Sequence, residues 1–574
     1  MERRVLLAIF LSFLVLYFYQ ALVVKPVPKP PAAIATSTAA PQGLPAEAPR
    51  PAPKAPGPVT VSAPAATALV GDATERDVRV DTRDVIAVFT NRGARLKSWR
   101  LKHFLDQKNE PLELVATELA ATQPLPFSLT VNDAAVTTTL NTALYTVSGE
   151  PAGTAASSPT DLRFEYRDSA GISAVKEFHL EPASYVVTFR AKVFGGDVAL
   201  SPQLQWGPAV GDVAAETSRF TKHAEGLLSA NGKVQRLAQK DFAKQATYEG
   251  DFPYAGVDDQ YFMVAALFLT QSAVTYQPLS IPPPAGSKEQ PHELVSFAVQ
   301  TRPDTPIKFF AGPKDFDVLA SIDREFVRAI DFGWFAFLVV PLLRSLKWIN
   351  GFVGNYGWSI IFLTIIINAI MFPLRHKSVV SMRKMQEIQP QVKAIQDRYA
   401  KLKATDPAKQ KMNQELMALY KERGVNPASG CVPMLLTMPV LFAFYSLLST
   451  AIELRGAPFI GWIHDLSLHD PLYITPVLMG LSQLWQQRIT PAAGADPAQR
   501  TTMMLMPVVF TFMFLWAPSG VALYWLISNL WGIGQQYLTN YLIGPPKIHT
   551  VRPPAQRQMK RVGGGKTDAA AREN

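Results

Sequence analysis

Apolar runs long enough to cross a membrane lie at the start of the chain and again in its second half, with shorter alternating segments between them. The first run covers residues 5–24 and follows Arg3-Arg4. About 20 apolar residues span a bilayer, and a basic flank stays on the cytoplasmic side. Lys25-Pro26-Val27-Pro28 follows the run in place of an Ala-x-Ala cleavage site. We therefore interpret residues 1–24 as an uncleaved signal anchor, with a cleaved signal peptide as the alternative.

A proline-rich segment and then a β-rich region follow the anchor. Residues 25–64 hold 12 of the 47 prolines, so we expect an extended tether over 25–70. Residues 71–330 alternate with period 2 between turn signals, as in the strand pair predicted over 172–180 and 185–194. This pattern predicts one periplasmic β-sandwich. Its histidines lack metal-ligand spacing, which favours a folded spacer or interaction domain over an enzyme.

The remaining apolar segments predict a helical membrane region. Residues 331–351 mix aromatic and apolar residues with Pro341, Arg344 and Lys347, which is typical of an amphipathic helix in the membrane interface. A transmembrane helix is the alternative. The core over 352–543 contains five predicted spans: 356–374, 431–452, 471–487, 503–516 and 521–543. Together with the anchor they make six, which places both termini in the cytoplasm.

The charge distribution supports this orientation. The formal net charge is +10, yet only 18% of the residues are charged and the mean hydropathy is +0.07, which excludes a wholly disordered chain. The loop 375–430 carries a net charge of +7 and the tail 544–574 carries +5, whereas the loop 453–470 carries −2. Basic short loops remain in the cytoplasm. A single cysteine excludes an internal disulfide framework.

The cytoplasmic loop 375–430 has a helical period of its own. Ile388, Val392 and Ile395 recur at steps of four and three, and Met412, Leu416 and Leu419 repeat this beyond a turn at residues 404–407. These intervals predict an antiparallel helical hairpin with a cationic exterior. Its exterior either docks a partner or is a solvated surface without one.

The predicted spans contain neutral polar residues and no ionisable residue at their centres. Ion-coupled transporters usually place ionisable groups at mid-membrane, so their absence counts against a small-solute transporter or channel. Thr364, Asn368, Thr437 and Ser528 are among the neutral amides and hydroxyls. Such groups either join helices to one another or line a hydrated cavity, and both interpretations are open at this point.

Several motifs in the second half resemble those of the YidC/Oxa/Alb family of membrane protein insertases. They are Asn426–Pro433 with Met438-Pro439, Trp462–Ser467 with Asp470-Pro471, Phe514–Gly520, and Leu523-Tyr524-Trp525 with Ser528-Asn529-Leu530 and Gln535-Gln536. The resemblance covers about residues 331–543, and the anchor with its large β domain is similar to the Gram-negative form. Residues 88–94 and 309–314 resemble the periplasmic domain of that form.

The resemblance implies a protein, not an enzyme and without a cofactor, that inserts and folds nascent membrane proteins in the bacterial inner membrane, alone or with the Sec translocon. It implies a periplasmic β-supersandwich and a five-span core with a polar groove open to the cytoplasm and to membrane lipids. The groove residues expected here are Thr364, Asn368, Thr437, Tyr524, Trp525 and Ser528. The expected substrate exit surface, along the third and fifth spans, is Met434, Met438, Pro439, Met506, Phe510, Phe514 and Pro518.

One position departs from the family pattern. The family places an arginine five residues before the proline of an Ile-Met-aromatic-Pro-Leu run, where this chain has Asn368 before Pro373. Arg375 lies about 10 Å further along a helix, so we expect it to be a poor substitute and the groove to be less positive.

The cationic hairpin and the basic tail 544–574 are the expected docking surfaces for the ribosome or the signal-recognition machinery. The candidate residues on the hairpin are Arg383, Lys384, Lys393, Arg398, Lys401 and Lys403. A periplasmic sugar-modifying enzyme on a membrane anchor is a further alternative, although five additional spans exceed what anchoring needs.

Overall fold

The computed structural model describes residues 67–106, 108–119, 123–150, 158–207, 224–281, 292–399, 407–425, 432–489 and 497–543. The predicted anchor, most of the predicted tether, and the basic tail lie outside these residues.

Eighteen β-strands build the described part of the region between the tether and residue 313. They are β1 Ala68–Val70, β2 Asp77–Asp81, β3 Val85–Thr90, β4 Arg95–Leu105, β5 Pro111–Glu113, β6 Ser128–Thr130, β7 Thr146–Ser148, β8 Thr160–Asp168, β9 Ile172–Leu180, β10 Val186–Gly195, β11 Val198–Leu200, β12 Gln203–Trp206, β13 Glu225–Ala230, β14 Lys233–Leu237, β15 Thr247–Asp258, β16 Phe262–Ile281, β17 His292–Gln300 and β18 Ile307–Pro313. The strand pair predicted over 172–180 and 185–194 corresponds to β9 and β10, which pair antiparallel from Val187↔Leu180 to Gly195↔Ile172. Strand β1 pairs with β8, so the last residues of the predicted tether belong to the β domain.

The strands form two sheets that share one hydrophobic core. The larger sheet has 14 strands, with the central order β1-β8-β9-β10-β18-β16-β15-β13-β14, and the smaller has the order β2-β3-β4-β5. Alternate residues of strands such as β8 and β9 are buried, as period-2 patterning requires. Phe89 of the small sheet meets Phe178 of the large one with ring centroids 4.7 Å apart. Trp99 Nε1 donates to Ala311 O across the layers at 2.9 Å. The result is the predicted sandwich.

A buried lysine stabilises the turn between β3 and β4. Gly93 and Ala94 have φ values of 69° and 48°, and a Cβ on Gly93 would lie 2.4 Å from Asn141 O. Lys176 Nζ donates to Gly93 O at 2.6 Å and to Phe127 O at 2.8 Å, and its residue is fully buried. Burial holds the pKa of Lys176 well below its usual range, and nearby Arg95 lowers it further.

Eleven α-helices are present in the described residues. They are α1 Ala134–Thr142, α2 Gln239–Phe242, α3 Phe316–Ile322, α4 Ala336–Val353, α5 Tyr356–Glu387, α6 Gln389–Arg398, α7 Ala408–Glu422, α8 Val432–Thr450, α9 Ile474–Ile489, α10 Pro497–Phe514 and α11 Ser519–Ile543. Short 3-10 helices occupy Thr117–Leu119, Phe326–Ala329, Gly333–Phe335 and Ile452–Leu454. By length and composition, two helices among the described residues are able to cross a membrane, over 333–353 and 356–387.

Helix α5 does not end where its apolar residues end. It continues from Arg375 through a basic segment to Glu387, so the first part of the predicted hairpin extends a helix that is long and apolar enough to cross a membrane. Helices α6 and α7 then pack through Ile388, Val392 and Leu416, together with Val425 beyond α7. The helical spacing of apolar residues in the sequence predicted the position of this small core.

Specific polar contacts join the β domain to the helical region. Lys347 of α4 lies 3.4 Å from Asp315 and 2.5 Å from Asp317 (side-chain N to O), and 3.1 Å from Glu453, whose side chain is 7% exposed. Gln260 Nε2, in the turn between β15 and β16, donates to Ser449 O of α8. Burial raises the pKa of Glu453, and Lys347 opposes that rise. Helix α4 therefore packs between the two regions, with Trp334, Phe337, Trp348 and Phe352 exposed.

Candidate functional site

Helices α5, α8, α9 and α11 enclose a polar cavity of about 400 Å³. Neutral polar groups and one cation line it among the apolar residues. Its polar, aromatic and charged lining residues are Asn368, Arg375, Ser378, Gln486, Tyr524, Trp525, Ser528, Asn529, Gln535 and Gln536. Four of the six residues predicted for the groove are therefore at one cavity: Asn368, Tyr524, Trp525 and Ser528.

Arg375 lies at the cavity beside Asn368, although the sequence predicted that it would be a poor substitute for an arginine at position 368. Its Nη1 donates to Asn368 Oδ1 at 2.7 Å, and both residues line the cavity. The prediction that Arg375 is a poor substitute considered only the rise along the helix. Two helical turns bring residues 368 and 375 onto nearly the same face, and the long arginine side chain spans the remaining distance. The cavity consequently contains a positive charge.

Two predicted groove residues are not part of the described cavity lining. Thr364 is fully buried, and its hydroxyl donates to Ile360 O of the same helix at 2.6 Å. It stabilises α5 rather than lining the cavity, which corrects its assignment. The side chain of Thr437 lies outside the described residues. Helical periodicity would have identified Arg375 and Ser378, since they follow Asn368 on the same side of α5.

The far wall of the cavity is a close contact between α9 and α11. Asn529 Nδ2 donates to Met479 O at 3.2 Å and to Ser482 Oγ at 3.1 Å. A Cβ on Gly532 would lie 2.1 Å from Gln486 Nε2, so a larger residue at 532 would displace this amide. Small residues and amide bonds allow close helix approach in membranes. Tyr524 closes the cavity by stacking on Phe444 of α8, with centroids 4.3 Å apart.

A buried carboxylate organises the connection into α9, at the other end of this helix group. Asp470 accepts hydrogen bonds from Trp462 Nε1 at 2.9 Å, Leu472 N at 2.9 Å, and Thr475 N and Oγ1 at 2.7 and 2.6 Å. Burial opposes ionisation of Asp470, but these bonds more than compensate and lower its pKa. The Trp462 and Asp470 motifs thus form one structural unit.

The residues predicted for substrate exit divide into exposed and buried groups. Met506 of α10 is exposed, and Met438 and Pro439 of α8, Phe510 and Pro518 are partly buried. Phe514 is 4% exposed and packs on Trp525, with centroids 4.9 Å apart, which corrects its assignment to that surface. The side chain of Met434 lies outside the described residues. Sequence reasoning missed the exposed apolar residues Val508, Val509 and Phe512 of α10, and Trp516 in the turn after it.

The docking residues predicted on the cytoplasmic hairpin also divide into exposed and buried groups. Lys384, Lys393 and Arg398 are exposed, and Arg398 lies 3.4 Å from Glu415. Arg383 is 7% exposed and donates to Asn540 Oδ1, so it joins α5 to α11 and does not belong to a docking surface. Lys401 and Lys403 lie outside the described residues.

Comparison with known proteins agrees with this architecture. The 60Kd inner membrane protein family matches residues 348–545, and the YidC periplasmic domain family matches residues 77–345. A membrane protein insertase YidC from Syntrophus aciditrophicus is 33% identical over 94% of this chain and 99% of its own. Another from Pelobacter propionicus is 35% identical over 95% of this chain and 100% of its own. A crystal structure of an active YidC insertase is 20% identical, covers 83% of this chain and 95% of its own, and has a TM-score of 0.34.

The fold and the two family matches define a bacterial inner membrane protein with a β-sandwich periplasmic domain and a helical C-terminal region. Full-length relatives with more than 30% identity extend this to the particular family. The chain belongs to the YidC family of membrane protein insertases, which are not enzymes. Its substrates are therefore nascent membrane proteins.

Proposed function

We propose that the cavity lined by Asn368 and Arg375 is the groove that receives the polar part of a nascent membrane segment. A polar group costs several kcal/mol in hydrocarbon unless it is hydrogen-bonded. The amides and hydroxyls of α5, α9 and α11 would supply hydrogen bonds partway across the membrane. The apolar part of the segment would then enter lipid, and its hydrophobic burial would drive release. The hydrogen bond between Arg375 and Asn368 at this cavity is the observation that carries the proposal.

The groove cation is expected to favour segments that carry a carboxylate. Asn368 alone can only donate or accept hydrogen bonds, whereas Arg375 adds a permanent positive charge. Its guanidinium donates to the amide oxygen of Asn368, and no carboxylate lies within ion-pair distance of it among the described residues. An acidic side chain in transit would therefore pair with it.

We propose that substrate helices leave between α8 and α10. The outward side chains of α10 from Leu505 to Met513 supply an exposed apolar surface, and Phe442 and Tyr445 of α8 are exposed too. Helix α10 packs on α9, while α8 packs on α4, α5 and α11. This arrangement supports a lateral opening between the two helices.

We further propose the domain limits and orientation predicted from the sequence. The chain would cross the membrane six times, with α4 in the interface, both termini in the cytoplasm and the β domain in the periplasm. The basic residues of the α5 extension, α6 and α7 support this orientation. The Sec translocon, the ribosome and the signal-recognition machinery are the proposed partners, with Lys384 and Lys393 exposed for docking.

Depletion of the protein tests this function. We expect single-span substrates to accumulate on the cytoplasmic side of depleted cells, and insertion to return with the wild-type chain. Normal insertion in depleted cells would contradict the proposal and would favour a small-solute transporter or channel. Deleting the tail 544–574 without weakening ribosome association would remove the tail from the docking proposal.

A further inference from the structure

A second cavity, of about 520 Å³, lies between α5 and α11 beside the groove. Its lining is almost entirely apolar: Ala369 and Phe372 come from α5, and Leu530, Trp531, Gly534, Gln535 and Leu538 come from α11. Leu530 and Leu538 are 49% and 46% exposed, so the cavity opens at the helix surface. We call it the α5–α11 cleft.

Residue 534, which lines the cleft, is a glycine and has no side chain. Nothing lies within 4 Å of the position that a Cβ on Gly534 would occupy. Glycine inside a helix is unfavourable relative to alanine, and no close contact in the described residues requires it here. The open space beside Gly534 therefore leaves room in the cleft for a bound molecule.

The position of the cleft along α5 places it near the lipid headgroups. The apolar residues of α5 end at Leu374, and Arg375-His376-Lys377 follow. Phe372 is three residues from this boundary, or about 4.5 Å along the helix. His376 stacks on Phe372, with centroids 5.8 Å apart, and Lys377 is exposed. Basic residues of α5 thus follow directly after the apolar residues that line the cleft.

Two hydrogen-bond donors at the cleft lack an acceptor. Trp531 Nε1 and Gln535 Nε2 are buried, and neither has a hydrogen-bond partner among the described residues. An unpaired N–H is costly where no water is present, so an occupant that brings acceptor oxygens is favoured. A transmembrane helix uses its backbone carbonyls internally and offers few such acceptors. A glycerophospholipid combines an aliphatic chain, ester oxygens and an anionic phosphate.

We propose that the α5–α11 cleft binds a glycerophospholipid of the cytoplasmic leaflet. One acyl chain lies against Phe372, Gly534 and Leu538, and small rotations of Trp531 and Gln535 bring their N–H groups to its ester oxygens. The phosphate lies near His376 and Lys377. The leaflet assignment rests on the orientation given under the proposed function, whereas the site itself does not. Because Gln535 also lines the groove, the lipid would form part of the groove wall.

Photolabelling of the full-length protein tests this site. The protein is reconstituted in vesicles of phosphatidylethanolamine and phosphatidylglycerol that include a phospholipid with a diazirine on one acyl chain. Mass spectrometry should locate adducts on the α5 and α11 segments that line the cleft. Gly534→Leu fills the cleft and should abolish these adducts, whereas Gly351→Leu, at another helix glycine with open space around it, should leave them unchanged.

Trp531→Phe provides a second variant that keeps an aromatic ring and removes the N–H. It should reduce adduct yield several-fold without changing thermal stability. Unchanged adducts in Gly534→Leu would overturn the proposal. Capture of an arrested nascent chain by a photo-crosslinker at Leu538, without a lipid adduct there, would also overturn it by identifying the cleft as a substrate path. Because lipid labelling needs no substrate, its result is independent of insertion activity.

Discussion

Arg375 and Asn368 together place one positive charge at the cavity. The asparagine holds the guanidinium at the cavity through a 2.7 Å hydrogen bond, and its own Nδ2 donates to Thr364 O at 2.8 Å. The charge at this site therefore depends on two residues separated by two helical turns. A substitution at either should alter the electrostatics of the cavity.

Arg375→Gln should impair insertion of substrates that carry an acidic residue in the translocated segment. A hydrogen bond to a charged group contributes about 1.5–3 kcal/mol, so we expect a reduction of about tenfold or more in the insertion rate. Protease protection of acidic and neutral versions of one substrate measures the effect. Lys421→Gln, at an exposed cation of α7 away from the cavity lining, is the control. Equal effects on both substrates would argue against a role for the charge.

A double variant in the same assay tests the effect of moving the positive charge within the groove. Asn368→Arg combined with Arg375→Gln places the guanidinium directly at position 368. We expect this double variant to recover most of the insertion lost in Arg375→Gln, because the positive charge returns to the same cavity. A double variant as defective as Arg375→Gln alone would show that the position of the guanidinium matters more than its charge.

Lys176 should be indispensable for the stability of the β domain. Lys176→Met leaves buried carbonyl oxygens of Gly93 and Phe127 without a donor, at about 1–3 kcal/mol each. Because the folded pKa of Lys176 is depressed, the unfolded chain binds more protons, and stability rises with pH up to about 10.4. Chemical denaturation at several pH values should show this slope in the wild type and lose it in the variant. An unchanged slope would exclude Lys176 as its source.

At the scale of elements, the helices around the groove differ in what they expose. Helix α10 presents apolar side chains outward along most of its described length, while α5 presents such residues as Ile370 on another side of the group. Only the first set lies beside the proposed exit. The exposed apolar residues of α10 and of α5 therefore differ in their position within the helix group rather than in hydrophobicity.

Crosslinkers at Met438 and Val509 should capture an arrested nascent helix. Met438 is partly buried on α8, and Val509 is 61% exposed on α10. A crosslinker at Ile370, which is 71% exposed on α5, should give few adducts with the nascent chain. Similar yields at all three positions would mean that substrates contact the lipid-facing surface without a preferred exit.

Breaking the contact of Lys347 with Glu453 should make the free energy of unfolding depend on pH. Lys347→Met leaves a buried carboxylate unpaired, and we expect a loss of about 1.5–3 kcal/mol. The pKa of Glu453 is already raised, so its carboxyl is easier to accommodate when protonated. The loss in the variant should therefore grow as pH rises from about 5 to about 8. Thermal unfolding in detergent measures this, and Glu453→Gln should suppress the pH dependence of the Lys347→Met variant.

At the scale of the whole molecule, charge predicts the orientation, and packing determines which charged side chains are exposed. The basic residues after Leu374 all support a cytoplasmic location by the positive-inside rule. In the structure some of them, such as Arg375 and Arg383, have roles in the helix group. Net charge alone therefore overstates the cationic surface that a partner would meet.

Cysteine accessibility tests the proposed orientation. In a background with Cys431→Ser, a cysteine replacing Lys393 should react with a membrane-impermeant maleimide only after the membrane is opened. A cysteine replacing Lys308, exposed on β18, should react in cells with only the outer membrane permeabilised. Labelling of both positions in intact inner membranes would contradict the proposed topology.

The sequence determined the β-sandwich, the helical hairpin core and the family, because alternation, helical period and ordered motifs are local properties. Charge bias likewise supplies the predicted orientation without knowledge of any contact. Only the tertiary structure decided that α5 continues through its basic residues and that Arg375 reaches Asn368. It also decided that neighbouring residues bury Arg383, Thr364 and Phe514. A periodic pattern identifies which face of a helix is buried, but the partner of that face depends on the packing of distant segments and on the reach of each side chain.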